Sequence, residues 1–186
     1  MKQKLSVDGL EFDSLDEVLF YRWLKEAKNS GFINDWQRCD TFTLSDKVNK
    51  INAKGKVVTL QREVTYTPDF KFIFNQYKSE NYFFGIDSPC EYADSVFYVD
   101  VKGSSQKNMR SKSTSSVTFP VKRAWLYQKH GIWVHKVIVD EWFKLTWCPD
   151  CPEIWAQKKP YVYSRFDGMK LNNGDVLKSD ENRRRK

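Results

Sequence analysis

Apolar residues along this chain change period several times, and each change marks an element. Leu5 to Phe12 alternates loosely around Asp8-Gly9, a turn signal, which predicts a short hairpin. Ser14 and Glu17 follow at the spacing of a capping box. Behind them Val18, Leu19, Phe20, Trp23, Leu24 and Ala27 recur at helical spacing, so a helix is predicted up to a stop at Gly31. Trp36 to Leu44 and Val57 to Tyr66 read as strands, with a loop at Lys50 to Lys56 and a hairpin joining the two runs. Pro68 cannot donate to a ladder and belongs at a strand start or edge, after which Phe70 to Phe74 continues as a strand.

Asn75 to Ser95 is polar and aromatic and too long for a hairpin loop, so it reads as an insertion. Val96 to Val101 is a short apolar strand expected at the centre of a sheet. Gly103 to Ser116, rich in Ser, Lys and Arg, reads as a mobile loop. Phe119 to His130 is the second predicted helix, with Pro120 in its first turn and Gly131 as its end. Ile132 to Val139 reads as a strand, and Trp142 to Trp147 as a short apolar piece. Cys148-Pro149-Asp150-Cys151 has the spacing of half a zinc ribbon but lacks a second half, so a proline-containing turn is the default. Residues 179–186 form a basic tail expected to be disordered. The expected organisation is a core domain over 1–147 and a C-terminal extension with the basic tail over 148–186.

Composition narrows the class. The 16% aromatic content, with seven tryptophans, argues for a packed core and against disorder. No apolar run approaches ~20 residues, so no membrane span is expected. The first residues lack the apolar stretch of a signal peptide. Four cysteines are too few for a disulfide scaffold, and a reducing cytoplasm is the expected setting. The net charge of +7 is unevenly placed. Residues 101–139 carry eight of the 31 cations and no acid, leaving 23 cations against 24 acids elsewhere. A cationic field of that kind suits a polyanionic ligand. Lys107, Arg110, Lys112, Lys122 and Arg123 are the residues expected to contact phosphates. A solvated basic face is the alternative.

That segment begins at the chemistry. Tyr66-Thr67-Pro68-Asp69-Phe70 and Val99-Asp100-Val101-Lys102-Gly103 each bring an acid to a strand-like run. Strand side chains alternate, so Asp100 and Lys102 point the same way. If the two runs are neighbouring strands, Asp69, Asp100 and Lys102 meet. Two carboxylates and an ammonium suit a hard metal ion and a phosphate. Spacing alone reads Glu17 as the cap partner of Ser14. No GxSxG motif and no glycine-rich phosphate loop is present, and neither histidine has an obvious Ser or Cys partner.

Pro68-Asp69 followed 31 residues later by Asp100-Val101-Lys102 resembles the PD-(D/E)xK, or restriction-endonuclease-like, nuclease superfamily. Together with Ser14-x-x-Glu17-x-x-x-Tyr21 and Thr67-Pro68-Asp69-Phe70, it is similar to small phage-encoded endonucleases and junction-resolving enzymes over roughly residues 5–140. The resemblance implies an α/β fold, a mixed central sheet flanked by helices with the core order αβββαβ. It implies hydrolysis of phosphodiester bonds in DNA, including branched, Holliday-junction-like phage DNA, in the bacterial host cytoplasm. It implies Mg²⁺ or Mn²⁺ held by Glu17, Asp69 and Asp100, with Lys102 as the fourth catalytic residue and Lys122 as a matching lysine of the second core helix. A homodimer and contacts with other phage replication or packaging proteins are the further partners it suggests. A non-catalytic DNA-binding or assembly protein of the same fold, and an RNA-directed nuclease, are the alternatives.

Overall fold

In the computed structural model, residues 4–75, 96–103 and 114–155 are described, with the backbone alone for 114–117 and 155. Residues 76–95 of the expected insertion, Lys107, Arg110, Lys112 and the basic tail lie outside the described residues. Asp8 and Gly9, at φ 52° and 78°, turn the chain between β1 (Leu5–Val7) and β2 (Leu10–Phe12), which pair antiparallel. Helix α1 (Leu15–Asn29) begins where Ser14 Oγ accepts the Glu17 N–H at 3.2 Å. It ends in a Schellman arrangement. Gly31, at φ 68°, donates to Lys28 O, and Phe32 N–H donates to Ala27 O.

The central sheet has four strands in the spatial order β10-β9-β8-β3. They are β3 (Ile33–Arg38), β8 (Phe70–Phe74), β9 (Val96–Lys102) and β10 (Val134–Ile138). β9 and β10 are parallel and the other neighbours antiparallel, so the sheet is mixed. Helix α2 (Thr114–His130) precedes β10, as a parallel connection requires. One sheet face is almost wholly apolar, with Phe70, Phe72, Phe74, Phe97, Val99, Val101 and Val137 in one core with α1. Trp23 of α1 lies 6.1 Å from Phe72 and 5.3 Å from Trp147, ring to ring. On the other face Val134 packs with Phe119 and Leu126 of α2, and with Leu44 and Tyr66.

Leu44 and Tyr66 come from a long antiparallel ribbon. Its base is β4 (Phe42–Ser45) paired with β7 (Val64–Tyr66), and its outer part is β5 (Val48–Ile51) paired with β6 (Val57–Gln61). The expected strand Trp36–Leu44 is therefore two strands. The chain leaves the central sheet at 39–41, so one β-prone run serves both the sheet and the ribbon. The expected hairpin between the two runs is present as this ribbon.

Three boundaries differ from the sequence reading. α2 begins at Thr114, so Pro120 lies in its second turn. A proline there cannot donate to the carbonyl four residues back. Val139 opens a short helix, α3 (Val139–Leu145), instead of closing a strand. The core also continues beyond the expected boundary at 147. Cys148, Cys151 and Ile154 are buried in the α1 core, and Ile154 lies on the short helix α4 (Pro152–Trp155). Arg22 of α1 holds Glu153 at 2.7 Å, and Asp150 N–H donates to Glu26 at 3.2 Å. Burial pushes the Cys151 thiol up to about 11. No helix among the described residues is long and apolar enough to cross a membrane.

Candidate active site

Asp69 stands immediately before β8, and Pro68 keeps the chain extended into it. The register of β8 against β9 places Phe70 opposite Val99. Asp69 continues that ladder, its N–H donating to Val99 O at 2.9 Å. Its carboxylate Oδ2 accepts the Val101 N–H at 2.6 Å. The Asp69 side chain thus lies against the β9 backbone next to Asp100.

Asp100 is buried, at 4% exposure, on the α2 side of the sheet. A buried carboxylate needs partners. Oδ2 accepts the Tyr66 hydroxyl at 2.6 Å, and Oδ1 accepts the Lys102 ammonium. Lys102 lies two residues on, on the same face, and its Nζ stands 5.8 Å from the Phe119 ring centroid. The expected meeting of Asp69, Asp100 and Lys102 is therefore what the strand register produces. Tyr66 joins them. The sequence reading placed this tyrosine in a strand and gave it no role, although it stands three residues before Asp69.

Burial, then the charges of Asp100 and Glu17, push the Asp69 carboxyl up to about 8. Like charges brought together out of water resist ionisation. Glu17 is close enough to contribute, but its carboxylate is otherwise engaged. Oε2 accepts the Asp13 N–H and Oε1 accepts the Ser14 hydroxyl, both at 3.1 Å. This is the cap role that spacing alone gave it. Asp16 is likewise raised, by burial and then by Asp140 and Glu17. A run of carboxylates thus leads from the start of α1 to β9.

Among the described residues, no group of three or more His, Cys, Asp or Glu side chains is arranged to hold a metal ion. Glu17, Asp69 and Asp100 do not form such a group, and both Glu17 oxygens are engaged in the α1 cap. Asp69 and Asp100 remain as a pair. A pair fits an ion such as Mg²⁺, which keeps several waters and uses one or two carboxylates. Their mutual repulsion is the kind of strain that a divalent cation relieves.

Cations border the acids. Lys136 stands opposite Asp100 in the β9–β10 register, and burial, then Lys102 and Arg123, lower its pKa. Lys122 Nζ donates to Thr65 O at 3.1 Å and ties α2 to β7. Arg123 stacks over the Trp133 ring at 4.1 Å, with its Nε buried and without a hydrogen-bond partner. Of the five expected phosphate contacts, the two described ones are thus turned partly into the fold.

Residues 1–87 are similar to a family described as a protein of unknown function (DUF1064). That stretch includes Glu17, Tyr66 and Asp69 and ends before Asp100 and Lys102. No curated protein and no solved structure matches the chain.

Proposed function

We propose that this protein is a metal-dependent endodeoxyribonuclease of the PD-(D/E)xK kind. The observation that carries the reading is the convergence of Asp69, Asp100 and Lys102 across β8 and β9. Element order supports it. With the N-terminal hairpin, the ribbon and the two C-terminal helices set aside, α1, β3, β8, β9, α2 and β10 follow the αβββαβ order of that core.

In this reading Asp69 and Asp100 hold a Mg²⁺ or Mn²⁺ ion, which, when bound, acidifies a water and neutralises a phosphate. The protein's own part is positional. The Val101 N–H orients the Asp69 carboxylate, and Tyr66 fixes one oxygen of Asp100. Lys102 has three donors, one of them used on Asp100, and offers the others to phosphate oxygens. In this reading Glu17 serves the α1 cap, and Asp69 and Asp100 are the ligands.

One observation favours a second reading, a nucleic-acid-binding protein without catalysis. Tyr66 and Lys102 already engage both oxygens of Asp100. A cleavage assay of the full chain with Mg²⁺ or Mn²⁺ separates the two. Linear duplex, single-stranded and four-way-junction DNA, and RNA, form the substrate panel. Cleavage of any DNA substrate that chelation abolishes supports the nuclease. Binding without cleavage in either metal supports the second reading.

A further inference from the structure

The outer ribbon, β5 and β6, buries almost nothing. Every residue from 46 to 63 except Asn52 is exposed, including Val48, Leu60, and Ile51 and Val57 at 69% each. A two-stranded hairpin with no core beneath it is marginal in water, and exposed apolar side chains on it call for an occupant. Its charge is one-sided. Lys47, Lys50, Lys54, Lys56 and Arg62 lie between Asp46 and Glu63, so residues 46–63 carry five cations against two acids, and both acids stand at the base. The overall balance outside 101–139 hides this local excess.

The ribbon is nevertheless shaped. Asn52 Oδ1 accepts the N–H groups of Lys54 and Lys56 at 2.9 and 3.0 Å, and Gly55, at φ 71°, closes the turn. Cross-strand register sets Ile51 beside Val57 on one face and Lys50 beside Val58 on the other. The base is fixed to the site. β7 carries Tyr66, which bonds Asp100, and Lys122 and His130 of α2 bond Thr65 O and Thr43 O.

We infer that the β5–β6 ribbon is a DNA-contacting arm that lies in a groove of the duplex held at the Asp69–Asp100 site. The inference rests on the nuclease reading for its substrate. Charge complementarity selects the occupant, since the ribbon beyond Asp46 and Glu63 is purely cationic and suits a polyphosphate backbone. The major groove admits a two-stranded ribbon. From Tyr66 to Val57 the chain, as β7 and β6 in turn, reaches at most about 30 Å, enough to extend along a groove beside the site. The lysines engage the flanking phosphates, and the Ile51–Val57 pair meets apolar base edges such as thymine methyls.

The test is equilibrium binding of the full chain to a duplex of ~30 base pairs, about three helical turns, without divalent metal and at several salt concentrations. In Lys50→Ala/Lys54→Ala/Lys56→Ala, affinity should fall at least about tenfold and the log–log salt slope should flatten by roughly 2 to 3. In Ile51→Ser/Val57→Ser, affinity should fall with the slope unchanged, because apolar contacts release no counterions. Circular dichroism and thermal melting should match the wild type, since these side chains support no core. Wild-type affinity and slope in both variants would overturn the arm. So would unchanged DNA binding with loss of a wild-type dimer in sedimentation, which would assign the ribbon to a second copy. Wild-type cleavage is scored separately. A protein that binds duplex through the ribbon but never cuts it would defeat the nuclease reading and leave the arm standing.

Discussion

Asp69 is held under electrostatic tension by its burial and by the charges of Asp100 and Glu17. Its pKa in the folded protein is pushed up to about 8, against ~3.9 for a free aspartate. Between those values the folded chain keeps a proton that the unfolded chain releases. This contribution to stability therefore falls as pH rises through the window and is flat above it. Urea midpoints measured from about pH 5 to about pH 8.5 should decline in the wild type and lose that decline in Asp69→Asn. Saturating Mg²⁺ should also flatten the wild-type curve, because a bound cation displaces the proton and binds only the folded state. The same slope in Asp69→Asn would place the titration elsewhere. At Asp100, removing the Tyr66 hydroxyl leaves a buried carboxylate oxygen without its donor. Tyr66→Phe should cost about 1–3 kcal/mol in urea unfolding. A change below about 0.5 kcal/mol, the range of an unremarkable surface substitution, would contradict that role.

The start of α1 gives the element-scale prediction. Glu17 completes the cap and touches the site only through its field. Glu17→Gln keeps an acceptor for the Asp13 N–H and removes a like charge that resists ionisation of Asp69, so we expect a folded protein with cleavage within a few-fold of the wild type. Loss of activity as complete as in Asp69→Asn would make Glu17 a ligand. Much of this was legible beforehand. Ser14, Glu17 and Gly31 announced α1 because caps are local chemistry. Asp100 and Lys102 announced their shared face because strand alternation is local too. The division of Trp36–Leu44 was not legible, since β-prone residues do not say which partner strand they will meet. Tyr66 escaped notice because a strand tyrosine fits its element without any hydroxyl partner. The local charge of the ribbon was hidden by acids elsewhere in the chain.

On the scale of the whole molecule, the sheet separates two tasks. One face is an aromatic core shared with α1, α3 and the segment at 148–155, and the other carries Asp100 and Lys102 toward α2. Cys148, Cys151 and Ile154 show no helical or strand period, yet each is buried against the α1 core. Ile154→Ala should accordingly cost about 2–4 kcal/mol in denaturant unfolding. A loss under about 0.5 kcal/mol would return 148–155 to the status of an appendage.

The most direct test of the site is cleavage of duplex and junction DNA by the wild type, Asp69→Asn and Asp100→Asn, side by side in Mn²⁺. Each variant keeps the shape of the side chain and loses the charge that holds the ion. We expect metal-dependent cleavage by the wild type and none by either variant, with DNA binding retained by both. Cleavage by Asp100→Asn at the wild-type rate would contradict the assignment of this site as the centre of a metal-dependent nuclease.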